Sequence, residues 1–255
     1  MHAIQGECAM DDGLSLRPDA YAGSVLEQML VASAGLDEFL ESFVEAAAAV
    51  LSDGHIEILA SVVLLRPRTK ATIAGTSQTA RRLADIQCRF DDGPCMKAAT
   101  TGGAVVVEDS GVDATFPLYS SAALQKGIRS ALSVPIRLDG PEKAVVTYFS
   151  RQAGAFHEEK VELAERFAGE ASTPLRLAIR LARLTDRAEH LAAAMESRTT
   201  IDLAAGVIMS QNRCSQDEAI EILRAASTAR NMKLRDLALN VLTSTVDAPV
   251  TTHFD

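Results

Sequence analysis

The sequence predicts an α+β domain with a central antiparallel sheet and flanking helices, followed by a coiled-coil helix and an all-α three-helix module. Between residues 58 and 150, short β-branched runs bounded by Gly, Pro or Asp replace helical spacing. From Leu177 to Met195 the apolar residues alternate steps of four and three, the a/d pattern of a two-stranded coil. Further on, Ser215 and Glu218 form the S-x-x-E signal that starts another short helix.

Composition sets the outer bounds. A chain of 255 residues, 47% hydrophobic, can fill one large core or two modest ones. Its formal charge of −9 excludes non-specific coating of nucleic acid, which needs many phosphate-neutralising Lys and Arg, so a polyanion must be met by a local patch. Cys8, Cys88, Cys95 and Cys214 show no CxxC spacing, and the nearest pair, Cys88 and Cys95, brackets a loop with no nearby His, so neither a zinc site nor a disulfide framework is expected. The N-terminus lacks a basic start and a long apolar stretch, and the longest apolar run, ILASVVLL, is strand-sized. A cytoplasmic protein with no membrane partner is the expectation.

Residues 1–20 have no sustained periodicity and read as a flexible lead-in. Val25, Met29, Leu36, Phe39, Phe43, Ala47 and Val50 then recur at helical spacing, with a break at Gly35, as two helices or one interrupted helix. Strands are expected over 58–65, 104–109, 129–138 and 143–150, and short helices over 77–87 and 93–102. The segment RLDGPEK between the last two strands has hairpin length. After Glu158 the pattern is helical throughout, with Pro174 marking either a new first turn or a kink. The seam residues Leu177, Leu181, Leu184, Leu191 and Met195, with Ala188 among them, predict a parallel coiled-coil homodimer. The alternative is a helix lying on its own domain.

Ile201, Ala204, Ala205, Ile208 and Met209 continue at helical spacing to a stop at Asn212. A second helix carries Ala219, Ile222, Leu223 and Ala226 on one face. A third, from about Lys233, carries Leu234, Leu237, Ala238, Val241 and Leu242. Each is too short to stand alone, so together they should bury one small core in which Ile208 and Met209 are packing residues. Cys214, beside Arg213, is either a slightly activated thiol or an ordinary turn residue. Arg224, Arg230, Asn231, Lys233 and Arg235 lie outside that core and form a local basic patch, although residues 187–255 hold seven basic residues against nine acidic. By pattern alone this is either a solvated face or a polyanion contact.

Two resemblances sharpen this reading. The ordered segments DDGPCMKAATTGGAVVVEDS, YSSAALQKGIRSALSVPI and AVVTYFSRQAGAFHEEKVELAERFA resemble a GAF domain over roughly residues 25–175. That implies an antiparallel sheet with a small-molecule pocket on one face and helices on the other. The segment SRTTIDLAAGVIMSQNRCSQDEAIEILRAASTARNMKLRDLA resembles the ANTAR domain of transcription antitermination regulators over about residues 190–246. That implies a three-helix RNA-binding module which, as a dimer, recognises paired hairpins in nascent messenger RNA. The RNA-facing residues it implies are Arg198, Asn231, Lys233 and Arg235, with Arg224 a weaker candidate because it can pair with Glu221 or Asp217 on its own helix. Family members commonly carry Lys where this sequence has Ala205, which implies a missing phosphate contact. The expected layout is a lead-in at 1–20, a GAF sensor at 21–175, a coiled-coil linker at 176–197, an ANTAR module at 198–248 and a tail at 249–255.

The input remains open at this point, because a fold does not name its ligand. VVVEDS superficially resembles the acidic strand end of a receiver domain, but too little chain follows it for a doubly wound sheet, so Glu108 and Asp109 more simply end a strand. His55 and His157 read as capping or exposed residues rather than haem ligands. Cys88 and Cys95 are either a redox pair or two separate thiols. Resemblance to GAF-type free methionine sulfoxide reductases supplies an enzyme alternative, and a sensor acting through a protein partner is another. The main expectation is a non-enzymatic regulator with no cofactor, an RNA partner, and an unidentified small molecule in the GAF pocket.

Overall fold

In a computed structural model of the protein, residues 19–245 are described, apart from residues 53, 55, 68 and 69. Cys8, His55, most of the lead-in and the 249–255 tail therefore lie outside the described residues. The chain divides into two compact units, Met1–Ala182 and Arg183–Asp255.

In the first unit, helices α1 (Asp19–Ala32) and α2 (Leu36–Leu51) are separate, with Gly35 between them as the N-cap of α2. Phe39, Leu40, Phe43, Val44 and Ala47 recur at steps of three and four and are all buried, which fixes the face α2 turns to the sheet. Strands β1 (Ile58–Leu65), β2 (Thr72–Gly75), β3 (Val105–Val107), β4 (Ser130–Ile136) and β5 (Lys143–Ser150) form one sheet in the order β2-β1-β5-β4-β3, every neighbour antiparallel. The β4–β5 hairpin is the one RLDGPEK predicts. Strand β2 was not expected: its four residues, TIAG, are too few for a periodic signal, and it exists by pairing with Ser61–Leu64 of β1. Strand β3 is shorter than the run 104–109, because Asp109 turns away to bond Arg129 and the Gly111 N–H.

Alternation along the strands sorts side chains into two layers. Ala60, Val62 and Leu64 of β1, with Val146 and Tyr148 of β5, share a core with α2 and with Ala164, Phe167, Ala168 and Ala171 of helix α6 (Glu158–Asn212). The rings of Phe43 and Phe167 stack at 5.4 Å within it. On the opposite face lie helices α3 (Gln78–Phe90), α4 (Pro94–Thr101) and α5 (Pro117–Gln125), over Val63, Ala131, Val145 and Phe149.

Helix α6 passes through Pro174 without ending, so the new-first-turn alternative is set aside. Proline removes the bond to the Glu170 carbonyl, while Ala171, Leu175 and Ala178 on either side are buried in the core. Leu177 and Leu181 point away from that core, 47% and 48% exposed, against the alternative of a seam lying on its own domain.

The second unit packs the C-terminal part of α6 with α7 (Gln216–Ala229) and α8 (Leu234–Thr245). Its core is Ala204, Ala205, Ile208, Ala219, Leu223, Leu237, Ala238 and Leu242, with Met209 and Ile201 packed against it. The capping box is complete: Ser215 Oγ accepts from the Glu218 N–H, and the Glu218 carboxylate accepts from the Ser215 N–H at 2.8 Å. One core assignment fails, because Ile222 is 42% exposed and Ile220 packs instead. The inward face runs from Ala226 through Ala219 and Leu223 to Ser227 and Ile220 and is centred on Leu223, so Ile222, one residue or about 100° away, falls outside it.

Candidate functional site

Three of the candidate RNA-facing residues, Asn231, Lys233 and Arg235, lie at the α7–α8 turn, while Arg198 stands on α6 and Arg224 within α7, and the backbone explains the turn. Helix α7 closes in a Schellman motif: the Met232 N–H reaches the Ser227 carbonyl, and the Asn231 N–H reaches that of Thr228. This requires a left-handed residue, and Asn231 supplies it at φ 50. Asn231 therefore has a structural duty as a helix terminator beside any contact its exposed amide makes. Ser227 Oγ donates to the Met232 carbonyl at 2.6 Å and tightens the same turn. Lys233 stands just before α8, where the first-turn N–H groups carry partial positive charge.

The cations of this unit divide by pairing. Arg224 meets Glu221 at 2.8 Å on its own helix, as its spacing allowed. Arg235 reaches Glu196 of α6 at 2.6 Å, tying the start of α8 to α6 two residues before Arg198. Arg198 is 86% exposed and lies 3.8 Å from Asp202. Among the described residues Lys233, Arg230 and Arg213 are exposed and have no ion pair. Arg230, part of the basic patch read from the sequence but not among the residues the resemblance implies, caps the end of α7 next to Asn231. Ala205 is only 1% exposed and belongs to the module's core, so in this chain its position serves packing.

In the first unit the face under α3, α4 and α5 carries a row of hydroxyls. Ser61, Thr147 and Ser133 sit opposite one another on β1, β5 and β4, all fully buried. Ser133 and Thr147 share a hydrogen bond of 2.9 Å, whereas Ser61 Oγ, and separately the Tyr119 Oη of α5, have no partner among the described residues. Unpartnered buried hydroxyls are costly unless a polar group meets them. A cleft of about 300 Å³ opens elsewhere on this unit, between Gly102–Ala104, Arg137 and the α6 residues Glu165, Ala168 and Gly169.

The DDGPC motif is scaffolding for this face. Asp92 accepts from the Leu118 and Tyr119 N–H groups, both at 2.9 Å, and so anchors the start of α5. Gly93 has φ 131, and a Cβ there would meet the Gln87 side chain at 2.5 Å; that side chain in turn accepts from the Cys95 N–H at 2.8 Å. Only glycine fits this turn.

Cys95 is fully buried, and burial pushes its thiol up to about 12; burial and then Asp85 push Cys88 up to about 11. Neither is a thiolate near neutral pH, the opposite of what nucleophilic sulfur chemistry needs. Asp109, the receiver-like candidate, is held by Arg129 and the Gly111 N–H, which bring its carboxyl down to about 2. The His157 ring is mostly exposed, 4.0 Å from Glu159. Among the described residues no cluster of three or more His, Cys, Asp or Glu side chains can hold a metal ion, and no helix is long and apolar enough to cross a membrane.

The chain matches the sequence model of the GAF domain over residues 33–175 and that of the ANTAR domain over residues 189–242. It belongs to the GAF family and carries an ANTAR domain. A GAF domain joined to an ANTAR domain is an architecture that points to regulation of transcription. No curated protein matches the chain. Among solved structures, this GAF–ANTAR chain is similar to the N-acylhomoserine lactone dependent LuxR family factor CepR2 from Burkholderia cenocepacia, at 14% identity and TM-score 0.48, over 65% of this chain and 98% of that one. It is also similar to the GAF domain of an Acinetobacter phosphoenolpyruvate-protein phosphotransferase, at 16% and 0.45, over 65% and 97%. A third is the free methionine-R-sulfoxide reductase from Neisseria meningitidis in complex with its substrate, at 17% and 0.44, over 72% and 99%.

Proposed function

We propose that the protein is an RNA-binding transcription antitermination regulator, in which the GAF sensor controls a dimeric ANTAR module that binds paired hairpins in nascent mRNA. The observation that carries this reading is the exposed, unpaired Lys233 at the N-terminus of α8, with Arg230, Asn231 and Arg235 around the same turn of an ANTAR domain. Phosphate is favoured there twice over, by the helix dipole and by the ammonium. Arg235, paired with Glu196 in the free protein, has the chemistry to stack on a loop base or grip phosphate once it exchanges Glu196 for the RNA. Arg198, Arg224 and the Asn231 amide are further candidates on the same module.

Dimerisation follows from the seam. Leu184, Leu191 and Met195 are 51%, 63% and 52% exposed at a/d spacing, a stripe that a second copy of the same helix covers layer by layer. On the sensor side, the unpartnered Ser61 and Tyr119 hydroxyls favour a small polar ligand beneath α3–α5. Ligand binding there would alter the register or splay of the α6 pair, and so the spacing of the two RNA-reading modules.

The test is a titration against an RNA bearing two short hairpins, comparing the wild type with Lys233→Ala/Arg235→Ala over a range of salt. Binding should weaken in the variant, with a salt slope shallower by about 0.7–0.9 per lost phosphate contact. Equal affinity and slope for both proteins would remove the α8 N-terminus from the interface. No binding by either, with varied loops and candidate ligands, would favour a protein partner.

A further inference from the structure

Helix α6 is fastened to the end of β4 at two points: Ser172 Oγ donates to the Arg137 carbonyl, and Arg176 pairs with Asp139. One turn earlier along α6 the two elements part, and the cleft of about 300 Å³ opens between Gly102, Gly103, Val134, Ala168 and Gly169. A Cβ built on any of the three glycines meets nothing within 4 Å, so open space begins where their side chains would stand. Val134 and Ala168, each 2% exposed, give the cleft an apolar floor. Both belong to the core shared by α2 and α6, on the face of the sheet opposite the buried hydroxyl row. The volume is at the lower end of small-molecule sites.

Arg137 and Glu165 line this cleft with opposite charges, and both are exposed. Neither has an ion-pair partner among the described residues, and their neighbours are engaged elsewhere: Asp139 by Arg176, and Arg166 by Glu162 at 3.8 Å. One unpaired surface charge is ordinary, because exposed ion pairs contribute little. Two of opposite sign on one small apolar cleft, not paired with each other, complement a molecule that carries both charges itself. From this geometry we infer that the cleft binds a free α-amino acid as its zwitterion. The Arg137 guanidinium receives the carboxylate, Glu165 receives the ammonium, and a small apolar side chain lies over Val134 and Ala168. The site is separate from the one beneath α3–α5, and the inference does not depend on RNA binding. Because Arg137 follows β4 and Glu165 stands on α6, the bound amino acid ties the sheet directly to that helix.

The experiment is calorimetric titration of the full chain with the free L-amino acids, and with N-acetyl-L-valine, which lacks the ammonium, and L-valinamide, which lacks the carboxylate. L-valine should bind, and deleting either charge from it should weaken binding by roughly tenfold. Arg137→Gln should weaken L-valine by a similar factor but leave valinamide unchanged, and Glu165→Gln should do the same while sparing N-acetylvaline. Gly169→Leu replaces a helical glycine with a better helix former and fills the cleft, so it should abolish binding without lowering the Tm. No binding by any free amino acid up to about 10 mM would overturn the inference. Binding that survives all three substitutions would overturn it too. Binding lost instead in Ser61→Val or Tyr119→Phe would place the amino acid beneath α3–α5 and equally contradict a site at α6.

Discussion

The two units solve the same packing problem with different material. The GAF sheet is sandwiched between layers that bury Phe39, Phe43, Tyr119, Tyr148, Phe149 and Phe156 almost completely. In the ANTAR module, four of the eight fully packed residues are alanines, and the largest are Leu223, Leu237, Leu242 and Ile208. Large buried side chains contribute in proportion to the area they remove from water. The sensor is therefore built to stand on its own core. The ANTAR module, with short helices and small residues, draws proportionally more of its order from the long helix α6 and from its caps.

Paired truncations separate these cases. Phe43→Ala removes a ring stacked on Phe167 and should cost the GAF unit about 3–5 kcal/mol, while Leu223→Ala should cost the ANTAR unit about 2–5 kcal/mol. Denaturant unfolding followed by circular dichroism should show the first as a shifted transition of the sheet and the second as near-complete loss of the α7–α8 helical signal. Equal fractional losses in the two units would break the comparison. A smaller step tests the caps: Ser215→Ala should destabilise the ANTAR unit by about 1 kcal/mol. The same unfolding assay reads it, and an unchanged midpoint would show that the box is ornamental to the module's stability.

Acid should distinguish the units more finely. Arg129 holds the Asp109 carboxyl at about 2, below its ordinary 3.8. A depressed carboxyl lends stability that is complete above its unfolded value and is lost as the pH falls from about 4 towards about 2. Glu218, lowered by the Ser215 N–H, should respond in the same direction. Carboxyl carbon shifts followed by NMR should place the Asp109 midpoint near 2 in wild type and higher in Arg129→Ala, where the Gly111 N–H alone still holds it. An unmoved midpoint in the variant would remove Arg129 as the cause.

Legibility in the sequence followed the length and regularity of each signal. The break at Gly35, the β4–β5 hairpin and the Ser215–Glu218 box were readable because each depends on neighbours in the chain. Strand β2 and helix α5 were not: TIAG is specified by β1, and the start of α5 is held by Asp92, a residue 26 positions before Leu118. The basic turn could be found from its residue types, but its pairing could not. That Glu196 occupies Arg235 while Lys233 stays unpaired depends on how α8 meets α6, 39 residues apart in sequence. The helix-terminating role of Asn231 was likewise hidden until its left-handed backbone was seen.

The central claim is that two ANTAR modules, presented by one α6 dimer, read two hairpins together. The mass of the complex tests it most directly, by analytical ultracentrifugation of the full chain with an RNA carrying two hairpins and with the same RNA reduced to one. The account predicts two protomers on the two-hairpin RNA and an affinity at least about a hundredfold above that for the single hairpin, because the second contact is made within one assembly. A single protomer on either RNA, bound with equal affinity, would contradict it.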